Sequence, residues 1–323
     1  MAAVLVTGAA GFIGSHVCER LVERGDRIVG LDNFDPYYDP ALKRANVAAL
    51  AGAENFTLLE LDIRDAQGVS AAMAAAGVER VMHLAALAGV RASVARAGDY
   101  IDVNVHGTAN VLEAVHTAAV KDVVLVSTSS VYGVDTPAPF AESAVADRPL
   151  APYPASKRAA EMLGHTYHHL YGINVSVMRL FNVYGPRCRP DTMPSMLADS
   201  VLHGTEVPLF DNGQLRRDWT YIDDIVDGLL AALDHPRGYE IYNLGRGAPV
   251  LLSEFIEILQ QIAGREANVR PVAAPATEPK ITFADIDKAR VAFGYDPTTP
   301  VVDGLNRFWE WRMNQPDVAR GRA

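Results

Sequence analysis

The sequence predicts an α/β fold, a doubly wound parallel sheet followed by a smaller and less regular lobe. Three observations carry that reading. Short apolar runs rich in β-branched residues alternate with helical patterns through the first half of the chain. Those runs are apolar at nearly every position, as strands are when both faces of a parallel sheet are covered. After about Phe181 the alternation loosens, and Pro186, Pro190, Pro194 and Pro208 interrupt the chain. With 323 residues, 49% of them hydrophobic, there is ample material for one large domain or two unequal ones.

The elements follow in order. "AVLVT" reads as the first strand and leads into a helix from about Phe12. "RIVGL" is the second strand, with a helix from about Pro40. "FTLLEL", "RVMHL" and "VVLVS" come next, each separated from the following one by a helical segment. The long helix that includes "ASKRAAEMLGHTYHHLY" precedes the strand "NVSVMRL". Further on, "YIDDIVDGLLAALD" has the pattern of an amphipathic helix and "YEIYNLG" that of a strand. Both are expected to pack back on the main sheet. The division expected is residues 1–180 as one domain and 181–323 as mainly a second lobe. The tail "QPDVARGRA" is polar and expected to fray.

Charge and composition narrow the function classes. The formal net charge of −10 argues against a nucleic-acid backbone as partner. No run of about 18 apolar residues appears, so no membrane partner is expected. The first apolar stretch runs straight into a glycine turn, without the basic start or cleavage site of a signal peptide. Cys18 and Cys188 are too few for a disulfide framework and read as free thiols of a cytoplasmic protein. His165, His168 and His169 share helical spacing but lack an acidic partner at metal-site spacing, so no metal is expected. Asp223, Asp224 and Asp227 fit the positive end of a helix dipole.

"VTGAAGFIGSH" places Gly8, Gly11 and Gly14, with Phe12 and Ile13 between them, where the first strand turns into a helix. Glycines let a backbone approach a pyrophosphate, and the helix N-terminus meets its charge with free N–H groups. The spacing is Gly-x-x-Gly-x-x-Gly rather than the commoner Gly-x-Gly-x-x-Gly. The strand–turn–helix context makes it a Rossmann-type dinucleotide site. Asp32 closes the second strand, 21 residues after Gly11. A carboxylate there bonds ribose hydroxyls and repels a 2′-phosphate, which favours NAD over NADP.

"YPASK" sets Tyr153 four residues before Lys157, on one helix face. A free tyrosine has a pKa near 10, so acting as a base near neutrality takes about 4 kcal/mol of differential stabilisation. A lysine ammonium and a positive nicotinamide ring are natural sources of that field. "VSTSSVYG" brings Ser127, Thr128, Ser129 and Ser130 to the carboxyl end of the fifth strand, the edge where open parallel sheets bind ligands. Such hydroxyls can relay a proton between a substrate alcohol and a phenolate.

Together these pieces resemble the extended short-chain dehydrogenase/reductases, in the nucleotide-sugar epimerase and dehydratase branch. The resemblance spans nearly the whole chain and rests on "TGAAGFIGSH", "LDN", "LDIRD", "HLAA", "NVHGTANVLEA", "STSSVYG", "YPASK", "FNVYGP" and "RDWTYIDDIVDG". It implies a tightly held NAD, with Tyr153, Lys157 and Thr128 catalytic and Ser129 and Ser130 beside them. It implies that Gly8, Gly11, Phe12, Ile13, Gly14, Asp32, Asn33, Lys43 and Ser127 line the cofactor site. By the same resemblance Asp62 and Ile63 flank the adenine, and Leu84, Ala85 and Ala86 line the cofactor cleft. Asn104 would support the catalytic helix, and Lys157 would also bind the nicotinamide ribose. Family dehydratases carry aspartate and glutamate after the threonine. Ser129 and Ser130 stand there in this chain, which leaves hydride transfer at C4 without the acid that water loss needs.

The resemblance assigns the substrate diphosphate to Arg217 and Asn182. That leaves the arginines of "YGPRCRPD", in an acidic chain, without an anion. A planar guanidinium suits a carboxylate. "GPRCRPD", "DNFDPYYDPALKR" and "LAGVRASV" resemble the UDP-glucuronate 4-epimerases, where an arginine meets the C6 carboxylate. Arg189 is the expected partner, Arg187 the second candidate and Arg91 a third group near the sugar. The chain departs from the family at "PATEPKITFADI", and nothing is carried over to Glu278 or Lys280. The expectation is therefore NAD-dependent C4 epimerisation of UDP-glucuronate in a homodimer built on helices around residues 99–119 and 153–171. The alternatives are a UDP-glucose or UDP-N-acetylhexosamine 4-epimerase, a UDP-glucuronate decarboxylase, and a non-catalytic NAD-binding regulator.

Overall fold

The structure is a computed structural model that describes residues 2–315, so most of the tail expected to fray lies outside the described residues. The first half alternates as the sequence predicts: β1 (Ala3–Thr7), α1 (Phe12–Glu23), β2 (Arg27–Asp32), α2 (Pro40–Val47), β3 (Phe56–Glu60), α3 (Ala66–Ala76) and β4 (Arg80–His83). Two short helices follow, α4 (Val90–Ala95) and α5 (Ala97–Ile101). A π-helical stretch, Asp102–His106, joins α5 to α6 (Gly107–Thr117). Then come β5 (Asp122–Thr128), α7 (Pro152–Tyr171) and β6 (Asn174–Leu180). The helix expected around residues 99–119 is thus continuous but widened into a π turn at its middle. Such single-turn π segments often mark functional sites.

The main sheet has seven strands in the order β11-β6-β5-β4-β1-β2-β3, where β11 is Tyr239–Leu244. Every pairing is parallel. The order reverses between β1 and β4, and that switch point opens a crevice at the carboxyl ends of the strands. The strands are nearly all apolar because both faces are covered. Val4 and Val6 pack on Val17 and Leu21 of α1 and on Ile225 and Leu229 of α9 (Ile222–Asp234). Leu5, between them, points to the other layer, against Val69 and Met73 of α3 and Val111 and Val115 of α6. All of these side chains are fully buried, and each stabilises the fold by roughly 1.5–3 kcal/mol.

Beyond β6 the elements shorten. β7 (Val183–Tyr184), β9 (Arg216–Arg217) and β10 (Thr220–Tyr221) are two-residue strands. α8 (Met193–His203) and β8 (Val207–Phe210) lie between them in sequence. β12 (Val250–Leu251) pairs antiparallel with β9, and β13 (Val269–Val272) pairs with β8. α9 lies on α1, and β11 completes the sheet beside β6. Asp224, at the start of α9, accepts from the backbone N–H of Thr298 and Thr299, while Asp227 pairs with Arg20.

Candidate functional site

A cavity of about 490 Å³ lies along the carboxyl edge of the sheet. Its floor begins at the glycine turn. Gly8 has φ +71°, and a Cβ on it would come within 2.9 Å of the Ala85 backbone nitrogen. A Cβ on Gly14 would lie 2.0 Å from the Gly8 carbonyl oxygen. Strand end and helix start therefore meet backbone to backbone. Gly11 caps α1 without a side-chain hydrogen bond, so the helix presents its first N–H groups to the cavity.

Asp32 is buried at the end of β2 and accepts from the Ala10 and Phe34 amides at 3.0 and 2.8 Å. Burial pushes its carboxyl pKa up, while Lys43 and the two amides pull it down. Lys43 is anchored by the Asp35 carbonyl at 2.9 Å. Asn33 donates to Asp62, which also bonds Arg64 and whose pKa falls to about 2 through that arginine. Ile63, Leu84, Ala85 and Ala86 form an apolar wall between these groups. A backbone cradle that a single Cβ would fill, a helix N-terminus and an anchored acid fit a dinucleotide with free ribose hydroxyls.

Further along the same edge stand Thr128, Ser129, Ser130, Tyr153 and Lys157. Thr128 donates to the Ser130 hydroxyl at 3.3 Å and accepts from the Ser130 amide at 3.2 Å. Burial pushes the Tyr153 phenol above its usual pKa; the Thr128 hydroxyl and the Arg189 charge pull it down. Lys157 is buried, and desolvation lowers its pKa to about 8 against the opposing pull of Glu161. Among the described residues its ammonium has no protein hydrogen-bond partner, so its donors remain for a ligand.

Ser127 lines the cavity as expected, and its hydroxyl donates to Glu161 at 2.6 Å. Glu161 is a fully buried residue of the catalytic helix α7 and holds Arg179 through two bonds of 3.0 and 2.7 Å. Asn104, expected to support the catalytic helix, does not itself line the cavity. It sits in the π segment, bonds both backbone groups of Leu87, and donates to Ser156 of α7 at 2.9 Å.

Behind that wall runs a chain the sequence did not disclose. The Ala85 amide donates to Thr7, and His83 bridges Thr7 at 2.7 Å and Thr108 at 3.0 Å. Thr108 gives its own proton to the Asn104 carbonyl, so His83 donates through Nε2 and accepts through Nδ1. Burial holds this histidine neutral, with a pKa of about 3. The "HLAA" motif was the available signal, but it pointed to the loop and not to its histidine.

The cavity lining also carries arginines. Arg189 lines the cavity, and its charge acts on Tyr153. Arg217 lines it too, buried, donating to Glu278 at 2.9 Å. Asn182 accepts from Thr282 at 2.8 Å, and Arg91 lies over the Phe210 ring at 5.7 Å. Arg187, the second candidate for the sugar carboxylate, needs correction. It has φ +65°, and its guanidinium turns to Glu19 at 2.7 Å and Ser15 at 3.3 Å, outside the cavity. Only Cys188 separates it from Arg189, yet the two arginines face different neighbours. Tyr37, Asp191 and Glu278 join the cavity wall without having been singled out as site residues.

Fold and site together define a short-chain dehydrogenase-type protein with a dinucleotide half and a charged substrate half. The pattern of the NAD dependent epimerase/dehydratase family matches residues 4–245, and the chain belongs to that family. It is 41% identical to a UDP-glucuronate 4-epimerase of Thermodesulfobacterium geofontis, over 98% of each chain. The structure superposes on UDP-glucuronic acid 4-epimerase from Bacillus cereus in complex with UDP-glucuronic acid and NAD. That match has TM-score 0.89 and 35% identity, covering 96% of this chain and 98% of the other. It superposes equally on DesIV, a dTDP-glucose 4,6-dehydratase from Streptomyces venezuelae, with TM-score 0.90 and 32% identity over 97% of each chain. Backbone shape therefore does not separate the epimerases from the dehydratases.

Proposed function

We infer that this protein is an NAD-dependent nucleotide-sugar 4-epimerase that interconverts UDP-glucuronate and UDP-galacturonate through a 4-keto sugar. The observation that carries this reading is one cavity lined by Tyr153, Lys157, Thr128 and Arg189 together. The NAD supplies a hydride acceptor for C4 and later the donor that restores it. The protein's own groups do the rest. Tyr153 takes the 4-hydroxyl proton, directly or through Thr128, and gives it back after the sugar has turned. Lys157, as ammonium, stabilises the phenolate. Ser129 and Ser130 supply hydroxyls and no carboxylic acid, so water is not expelled from the sugar. Asp32 receives the adenosine ribose, and Arg217 with Asn182 receives the diphosphate.

The uronate introduces a hazard, since a 4-keto uronate is a β-keto acid that can lose CO2. Arg189 holds the carboxylate so that the scissile bond stays out of line with the carbonyl π system. We read residues 1–180 as the cofactor domain and residues 181–323 as mainly the nucleotide-sugar lobe, with α9 and β11 returned to the sheet. Exposed Ile101 on α5 and Met162, Leu170 and Tyr171 on α7 support a homodimer through these helices, checked by light scattering. No helix of the described residues is long and apolar enough to cross a membrane. Two unpaired buried cysteines, Cys18 and Cys188, support a cytoplasmic site of action.

Product analysis tests the function. Purified protein without added NAD is incubated with UDP-glucuronate and, separately, UDP-glucose. UDP-galacturonate from the first and little change in the second is the expected result. UDP-galactose as the main product would overturn the uronate assignment, and UDP-pentose with CO2 would overturn the protective role of Arg189.

A further inference from the structure

Both arginines given to the substrate already hold a carboxylate of the protein. Arg189 donates to Asp191 through Nε at 2.9 Å and Nη2 at 3.2 Å, a two-point grip on one guanidinium edge. The Tyr37 hydroxyl fixes that carboxylate further, at 2.9 Å from Oδ2. Arg217 donates through Nη2 to Glu278 at 2.9 Å, while its Nη1 is tied to the Arg216 carbonyl at 2.8 Å. All four charged residues line the one cavity, and the side chain of Arg217 is only 9% exposed. Arg187–Glu19, by contrast, is an ion pair outside it.

A guanidinium edge accepts one carboxylate-sized anion at a time, and two anions placed there repel. A buried arginine stripped of its anion is costly, so an internal acid keeps such a group in position. We propose that Asp191 and Glu278 are competing anions, each holding the guanidinium edge that one anionic group of the substrate must take over. Asp191 competes with the sugar carboxylate and Glu278 with the diphosphate. This rests on the uronate reading of the site. It makes the two acids specificity-determining residues. A neutral hexose offers nothing to exchange for Asp191, so the Arg189–Asp191 pair stays closed against it. A uronate replaces carboxylate with carboxylate and leaves Arg189 neutralised. Glu278 acts on every nucleotide sugar alike, since all bring a diphosphate.

The two halves make different predictions for the same ligands. Titration calorimetry is run with NAD-loaded protein carrying Tyr153→Phe, so that turnover does not obscure the heat. UDP, UDP-glucose and UDP-glucuronate are the probes. Asp191→Asn is expected to tighten UDP-glucuronate about tenfold and leave UDP and UDP-glucose unchanged. Glu278→Gln is expected to tighten all three by a similar factor. If either amide weakens its ligand or leaves it unchanged, that acid supports its arginine instead of competing, and the proposal fails there. Should Asp191→Asn not yield folded protein, Asp191→Ser removes the same charge. Arg189→Ala separates the two readings. If it leaves UDP-glucuronate affinity unaltered, the uronate assignment itself is wrong and the Asp191 half falls with it. The Glu278 half is still decided by UDP alone.

Discussion

On the sheet side of the cleft, Gly8, Asp32, Leu84 and Thr128 sit at strand ends, and backbone groups or neutral hydroxyls satisfy almost everything around them. On the other side, Asn182, Arg189 and Arg217 lie beyond β6, where the elements are short; Asp191 and Glu278 hold the two arginines, and Thr282 bonds Asn182. The first wall is rigid because a parallel sheet imposes its geometry. The second is set by charge pairs that a ligand can exchange. Reactions at C4 need the first kind of precision, and discrimination between a hexose and a uronate needs the second.

The contrast can be broken most severely at Gly14. A methyl group there meets the Gly8 carbonyl, and neither backbone can retreat. Gly14→Ala is expected to cost about 3 kcal/mol or more and to strip the bound NAD, read by thermal unfolding and cofactor content. Next comes Tyr153→Phe, which leaves the wall intact but removes the proton carrier. Turnover should fall about 100- to 10,000-fold while NAD content stays constant; retained turnover would refute the tyrosine assignment.

Smaller effects are expected across the cleft. Arg189→Ala should raise the KM for UDP-glucuronate by about ten- to a hundredfold and increase CO2 release. Arg187→Ala, two residues away, should change KM little and stability by less than about 1 kcal/mol, since its pair with Glu19 is a partly exposed one. Equal effects from the two would erase the distinction between them.

Lys157 gives a pH test of the sheet side. Its folded pKa of about 8 lies below the usual lysine value of 10.5. As pH rises past 8 the folded protein loses this proton before the unfolded chain does. The unfolded state then binds more protons, so the lysine's contribution to stability increases between pH 8 and about 10.5. Activity should move the opposite way, because the ammonium that supports the phenolate is lost. Rate profiles and denaturant midpoints over that range check both signs; a parallel rise would contradict the role given to Lys157.

Much of the sheet side was legible in the chain because its determinants are local. A glycine turn, an acid 21 residues on and a tyrosine–lysine pair one helical turn apart keep their spatial relation wherever the helix and strand form. The identity of Ser129 and Ser130 likewise decided, from the sequence, that no acid follows Thr128. The rest depended on packing between distant segments. Whether an arginine of "GPRCRPD" faces the sugar was decided by the turn at Arg187, whose positive φ sends one guanidinium to α1 and leaves the other in the cavity. The direction of the Ser127 hydroxyl was decided by Glu161 of α7, and the pairing of Asn104 with Leu87 and Ser156 by how the π segment packs on that helix. Glu278 reaches Arg217 across 61 residues because the chain before Thr282 lies along β9. Periodicity and motif spacing encode what one element does to its neighbour. The pairing of charges across a cleft exists only once the burial of the whole sheet has brought those segments together.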